Sequence, residues 1–356
     1  MEALNASVLL VFTQGDVFDR IRTRSFKKDV AAIFGTVKDE GTYWLPYYMS
    51  RYGFCFNHTI SAEDPQNRAL ITREQYRQSM KAFMPYFGGS ALVEHALLHA
   101  YQSVSTGFSP QENLRDGVGR FLGDYFFTCS LIEFADIIAD NVYGPVYMYY
   151  FTMRSVLFPS LAHIVAIDHL SNRRSTANPW PKWMGVMHGY EIEYAFGQPL
   201  SRPSLYEKNY LRTEQRFSEF IMKLWIDFAN TGTPATYWPK YNRIDRQALE
   251  LGEESTRGDH RIMVDVHGSY CRLIDEAKTV AGQGTTHSRG EGNDNDDDSE
   301  SASRFVSGDE RVFKFYEVRN RADVAATELG VQHVTSHGRL ADAGLHLQLR
   351  HPTHVS

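Results

Sequence analysis

Two short apolar runs bounded by turn or charged residues punctuate the chain: DVAAIFGTV at 29–37 and VYMYYFTM at 146–153. Continuous hydrophobicity over so few residues suits strands covered on both faces, as in parallel sheets. Elsewhere the helical period takes over. In TREQYRQSMKAFMPYF, Thr72 and Gln75 have capping-box spacing, and Tyr76, Met80, Phe83, Met84 and Phe87 fall on one helical face. Phe217, Ile221, Leu224, Trp225 and Phe228 make a second stripe, with Gly232 and Pro234 of NTGTP as its stop. This alternation of strand-like and helical segments across 24–280 predicts an α/β protein.

Composition changes that picture in three places. At 356 residues, 42% hydrophobic and 13% aromatic, the chain can bury a large core. The net charge of −6 is carried by residues 281–310, which hold eight acids and two basic residues, so charge says nothing about what the remainder binds. That Gly-, Ser- and Asp-rich stretch is expected to be disordered. No apolar run reaches the roughly 18–20 residues that span a bilayer, and the opening MEALNASVLLVF has an acidic flank where a signal peptide is positive. Neither a transmembrane segment nor a secretion signal is expected. Residues 1–23 and 311–356 carry no pattern that assigns them. Three cysteines without a C-x-x-C give no support to a zinc site or a disulfide framework, and nothing implies a cofactor or nucleic acid.

Chemistry in open α/β sheets sits on loops beyond the carboxyl ends of strands. The first apolar run is followed by KDEG, with Glu40 before Gly41. Past a long connection from the second comes WMGVMHGYEIEYAFGQPL, with His188 between Met187 and Gly189. Alone, a glutamate before a glycine reads as a solvated turn, and a histidine among apolar residues as a core or capping group.

Together they resemble something more specific. VKDEGTYW, NPWPKWMGVMHGYEIEYAFGQPL and LWIDFANTGTP are similar, in order, to blocks of the carboxylesterase type B family and, within it, the cholinesterases. The resemblance runs over roughly residues 24–276. It implies the α/β-hydrolase fold, whose triad follows the order Ser, Asp or Glu, His, with Glu40 as the triad acid and His188 as the base. It also implies a choline-ester substrate lined by aromatic rings: Tyr43 in the choline pocket, Trp44 on the acyl or gorge wall, Tyr47 at the gorge mouth, and Trp183 near the base, where core packing is an equal reading. A Cys129–Cys271 disulfide, a homodimer and a secreted or cell-surface location follow from the same resemblance, and Cys55 is left unpaired. Asn57 in FNHTI and Asn5 in NAS are glycosylation sequons.

Two departures qualify the resemblance. No G-x-S-x-G pentapeptide occurs, GGSAL being the nearest, so the chain reads as the C-terminal half of a truncated α/β-hydrolase without its nucleophile, inactive alone. Half of a central sheet would also leave an open strand edge, so the isolated chain is expected to aggregate or need a partner. Residues 156–173, VLFPSLAHIVAIDHLSNR, interrupt the path from the second strand to His188. They read as a retained intron or gene-model error rather than a lineage-specific loop, which makes His163, Asp168 and His169 decoys. The contrasting possibilities are a non-catalytic adhesion protein of the neuroligin type, against which both Glu40 and His188 argue, and a binding module using the acidic run at 291–300.

Overall fold

The computed structural model describes residues 20–21, 23–57, 59–102, 107–155 and 180–287, with side chains to residue 281. Asn5, the insertion 156–173 with its two histidines and Asp168, and the tail 311–356 lie outside the described residues, as does the acidic stretch from residue 288 onward.

Both apolar runs form strands. β1 (Ala32–Val37) and β2 (Val146–Phe151) pair in parallel, from Ala32 opposite Val146 to Val37 opposite Phe151. Two further strands complete a sheet of order β1-β2-β3-β4: β3 (Gln247–Leu251), parallel to β2, and β4 (Ile262–Val264), antiparallel to β3. On β2, Val146, Met148 and Tyr150 enter one core cluster while Tyr147 and Phe151 enter the other. This alternation places apolar packing on both faces and explains the uninterrupted hydrophobicity of the run. β1 is the terminal strand of the order, and its outer edge has no strand partner among the described residues.

The helices follow their patterns with one break. α1 (Arg73–Lys81) carries the capping box, Thr72 Oγ1 accepting from Gln75 N and the Gln75 side chain accepting from Thr72 N. The helix expected through residue 87 stops at Lys81. Pro85 has no N–H for the Lys81 carbonyl, and its ring would crowd that group. Residues Met84–Phe87 continue as a 3-10 turn instead, with Phe83, Met84 and Phe87 still buried. Between α2 (Ala91–Ala100) and β2 lie α3 (Pro110–Gly123) and α4 (Cys129–Ala139), joined without interruption by a π-helical turn, Asp124–Thr128. α5 (Tyr190–Ala195) precedes α6 (Leu211–Thr231), which buries Phe217, Ile221 and Leu224 and ends where Gly232 N–H donates to the Phe228 carbonyl at 2.7 Å. α7 (Gly268–His287) runs past the boundary that composition suggested at residue 280.

Candidate active site

The acid sits on the turn that leaves β1. Lys38 N–H donates to the Phe151 carbonyl at 2.9 Å, extending the sheet by one bond. The chain then folds back so that Glu40 Oε1 accepts from Val37 N–H at 2.9 Å. Glu40 is 8% exposed. Gly41 lets this turn press against α3: a Cβ there would lie 2.0 Å from the Gly119 carbonyl oxygen and 2.4 Å from Gly123 N. Only a hydrogen fits. The pressure of α3 on the turn fixes the depth of Glu40 below the surface.

The base arrives 148 residues later. Asp39 forms a parallel β-bridge with Met187, so the next residues of the two strands, Glu40 and His188, fall side by side. His188 Nδ1 lies 2.6 Å from Glu40 Oε2. A carboxylate only accepts, so Nδ1 carries the proton and Nε2 of the neutral ring is the basic nitrogen. Burial of the imidazole works against its protonation. The hydrogen bond that His188 donates to Glu40 and the charges of Glu40 and Glu191 outweigh that and hold the His188 pKa above the ordinary value. Glu191, one turn on, is itself pushed up, first by burial and further by Glu40.

Two aromatic rings flank the imidazole, whose side chain stays 38% exposed. The Phe127 centroid is 4.5 Å from that of His188, and Trp44 is 5.7 Å away. Phe127 and Trp44 stack on each other at 6.1 Å. Tyr47 is exposed beside them, its hydroxyl donating to Tyr43 at 3.4 Å. Tyr43 is buried, edge-on to Trp44 and Trp180, and burial pushes its phenol pKa far up. Trp183 is anchored by two contacts. Its indole N–H donates to the Asn67 carbonyl at 2.7 Å and the Arg115 guanidinium lies 4.7 Å over its ring. Phe127 escaped the sequence reading because it lies in DYFFT, an aromatic run indistinguishable from core. Only the π-helical turn brings its ring to His188.

Cys129 and Cys271 are joined, with Cα atoms 5.1 Å apart, linking the start of α4 to the first turn of α7. Cys55 is free and exposed. Asn57 is exposed, and both the amide and the hydroxyl of Thr59 donate to its Oδ1, at 2.9 and 2.7 Å. Among the described residues no helix is long and apolar enough to cross a membrane.

An acid on the turn after one strand and a base on a loop beside it, hydrogen-bonded beyond the carboxyl end of a parallel strand, is a recurring hydrolase arrangement. Comparison with known proteins decides the family: residues 11–266 match the Carboxylesterase family. The chain belongs to that family. As a carboxylesterase-family chain it has the α/β-hydrolase fold, of which the four-stranded mixed sheet is part. It is 34% identical over 236 residues to Cholinesterase of Mus musculus, covering 65% of this chain and 33% of that protein. It is 32% identical over 243 residues to Acetylcholinesterase 4 of Caenorhabditis briggsae, covering 62% and 34%. With Acetylcholinesterase of Gallus gallus it shares 28% over 259 residues, covering 71% and 29%. The carboxylesterase chain thus spans about a third of the length of these relatives, and it is cholinesterase-like within its family.

Proposed function

We propose that Glu40 and His188 are the acid and base of a serine carboxylesterase that hydrolyses choline esters, and that this chain supplies the acid–base half of the triad. The observation that carries the reading is the 2.6 Å contact between His188 Nδ1 and Glu40 Oε2 in a niche of aromatic rings. In this reaction the basic Nε2 takes the proton of a serine hydroxyl as it attacks the ester carbonyl. The same proton passes to the leaving alcohol, and the ring then activates water against the acyl-serine. Glu40 fixes the tautomer and stabilises the imidazolium. Trp44 and Tyr47 offer π faces to a quaternary ammonium, and Phe127 walls the space over the base. The nucleophile would come from a G-x-S-x-G elbow that this sequence lacks, so the chain alone is inactive, since triad members act as a unit. Glycosylation at Asn57, an extracellular location and a homodimer belong to the same proposal. The neuroligin-type alternative leaves the hydrogen-bonded acid–base pair without a use.

The experiment is a chimera in which the N-terminal part of a cholinesterase relative precedes this chain. Acetylthiocholine turnover that disappears in His188→Gln supports the proposal, with no turnover from residues 1–356 alone. Turnover indifferent to His188→Gln, or a soluble, cooperatively folded chimera without turnover, contradicts it.

A further inference from the structure

We infer that Asp39 is a positioning residue for the Glu40–His188 pair, its side chain holding the loop that carries His188 in register with the acid turn. The inference rests on the acid–base reading of that pair.

The register between the two segments depends on a single β-bridge, Asp39 to Met187. One of its bonds is ordinary main chain: Asp39 N–H donates to the Val186 carbonyl at 2.9 Å. The return bond comes from the side chain, Val186 N–H donating to Asp39 Oδ2 at 2.9 Å. One residue therefore both donates to and accepts from Val186, two positions before His188. A carboxylate acceptor makes that second bond stronger than a carbonyl would. A one-rung ladder has no neighbouring rungs to share the load, so loss of the side-chain bond leaves the Val186 amide without its Asp39 acceptor and the main-chain bond from Asp39 N–H as the remaining tie at Val186.

The loop is shaped around this carboxylate. Gly185 has φ 64° and ψ −136°, a conformation that L side chains rarely adopt, and a Cβ on it would lie 2.0 Å from Asp39 Oδ2. The other tethers act on loop carbonyls: Thr42 Oγ1 donates to Met184 at 2.6 Å, and the Arg154 guanidinium donates to Gly185 at 3.2 Å and Trp180 at 3.3 Å. These fix the path of residues 180–185. Asp39 reaches past them to the amide of Val186 and so sets the last step before the base. A shift of about 1 Å at a catalytic group can cost on the order of 100-fold in rate, which makes the residue beside the acid a determinant of catalysis without touching substrate.

The test is NMR of the full chain with nitrogen-labelled histidine, reading the low-field Nδ1 proton of His188 and the titration of its imidazole. Wild type should show the protected proton and a midpoint above the ordinary value of about 6.5. In Asp39→Ala the proton signal should vanish by exchange and the midpoint should fall. Asp39→Asn keeps an acceptor oxygen and should restore both. Thr42→Val, which leaves the Val186 bond in place, should keep the signal. Gly185→Ala intrudes on the carboxylate from the other side and should reproduce the loss, which covers the case in which Asp39→Ala does not fold. An unchanged proton and midpoint in a folded Asp39→Ala, or in Gly185→Ala, overturns the inference while the triad reading stands. A wild type without the protected proton sinks the pairing itself, and the inference with it.

Discussion

The ring of Phe127 lies over that of His188, centroids 4.5 Å apart and planes inclined by 32°. The two residues come from different parts of the fold, Phe127 from the π-helical turn after α3 and His188 from the loop before α5. Phe127 is part of what buries the imidazole. Burial is the effect that opposes protonation of His188, so Phe127→Ala, by admitting water, should move the histidine midpoint further up. The half-buried ring should also cost about 1–2 kcal/mol of stability when removed. Paired chemical denaturation and imidazole titration would check both, and a midpoint that falls instead would mean that Phe127 does not shield the ring.

Stability should depend on pH through the same histidine. The folded pKa of His188 is raised above its unfolded value. Its contribution is therefore complete below about pH 6.5 and is lost as pH rises through the folded pKa. The stability gap between wild type and Glu40→Gln should be widest near pH 6 and should narrow at higher pH. Urea denaturation of both proteins across this range reads it, and a gap that widens with rising pH would contradict the sign.

The disulfide spans 142 residues between Cys129 and Cys271. Its removal in the double alanine variant should lower stability by about 2–4 kcal/mol, and thiol titration of the denatured, unreduced chain should find one group, that of Cys55. A count of three would mean that the bond does not form.

β1 and β2 were legible because apolar residues of both strands pack on each face of the sheet and so read as apolar runs. β3 and β4 were not, since QALEL and IMV are too short for any period to emerge. Glu40 and His188 could be found through resemblance alone, because their approach depends on a bridge between residues 148 positions apart. Asp39, Phe127 and the packing of Trp183 on Arg115 leave no sequence signal. Each depends on where a third element puts the partner.

Removal of residues 156–173 should leave the Glu40–His188 pair intact. Ser155 and Trp180, which flank that region among the described residues, are both buried. Arg154 donates to the carbonyls of Trp180 and Gly185, tying the end of the β2 segment to the loop that carries the base. The deletion variant should keep the His188 midpoint of the wild type. A midpoint that drops toward the ordinary value would show that the insertion helps to position the base.

The account turns on Glu40 acting on His188, and the most direct measurement is the imidazole titration of His188 in the full chain against Glu40→Gln. The wild-type midpoint should lie above about 6.5, because the carboxylate outweighs the burial of the ring. In Glu40→Gln the partial burial and the Glu191 charge remain while the Glu40 charge is gone, so the midpoint should fall below that of the wild type. Equal midpoints in the two proteins would contradict the pairing on which the acid–base reading stands.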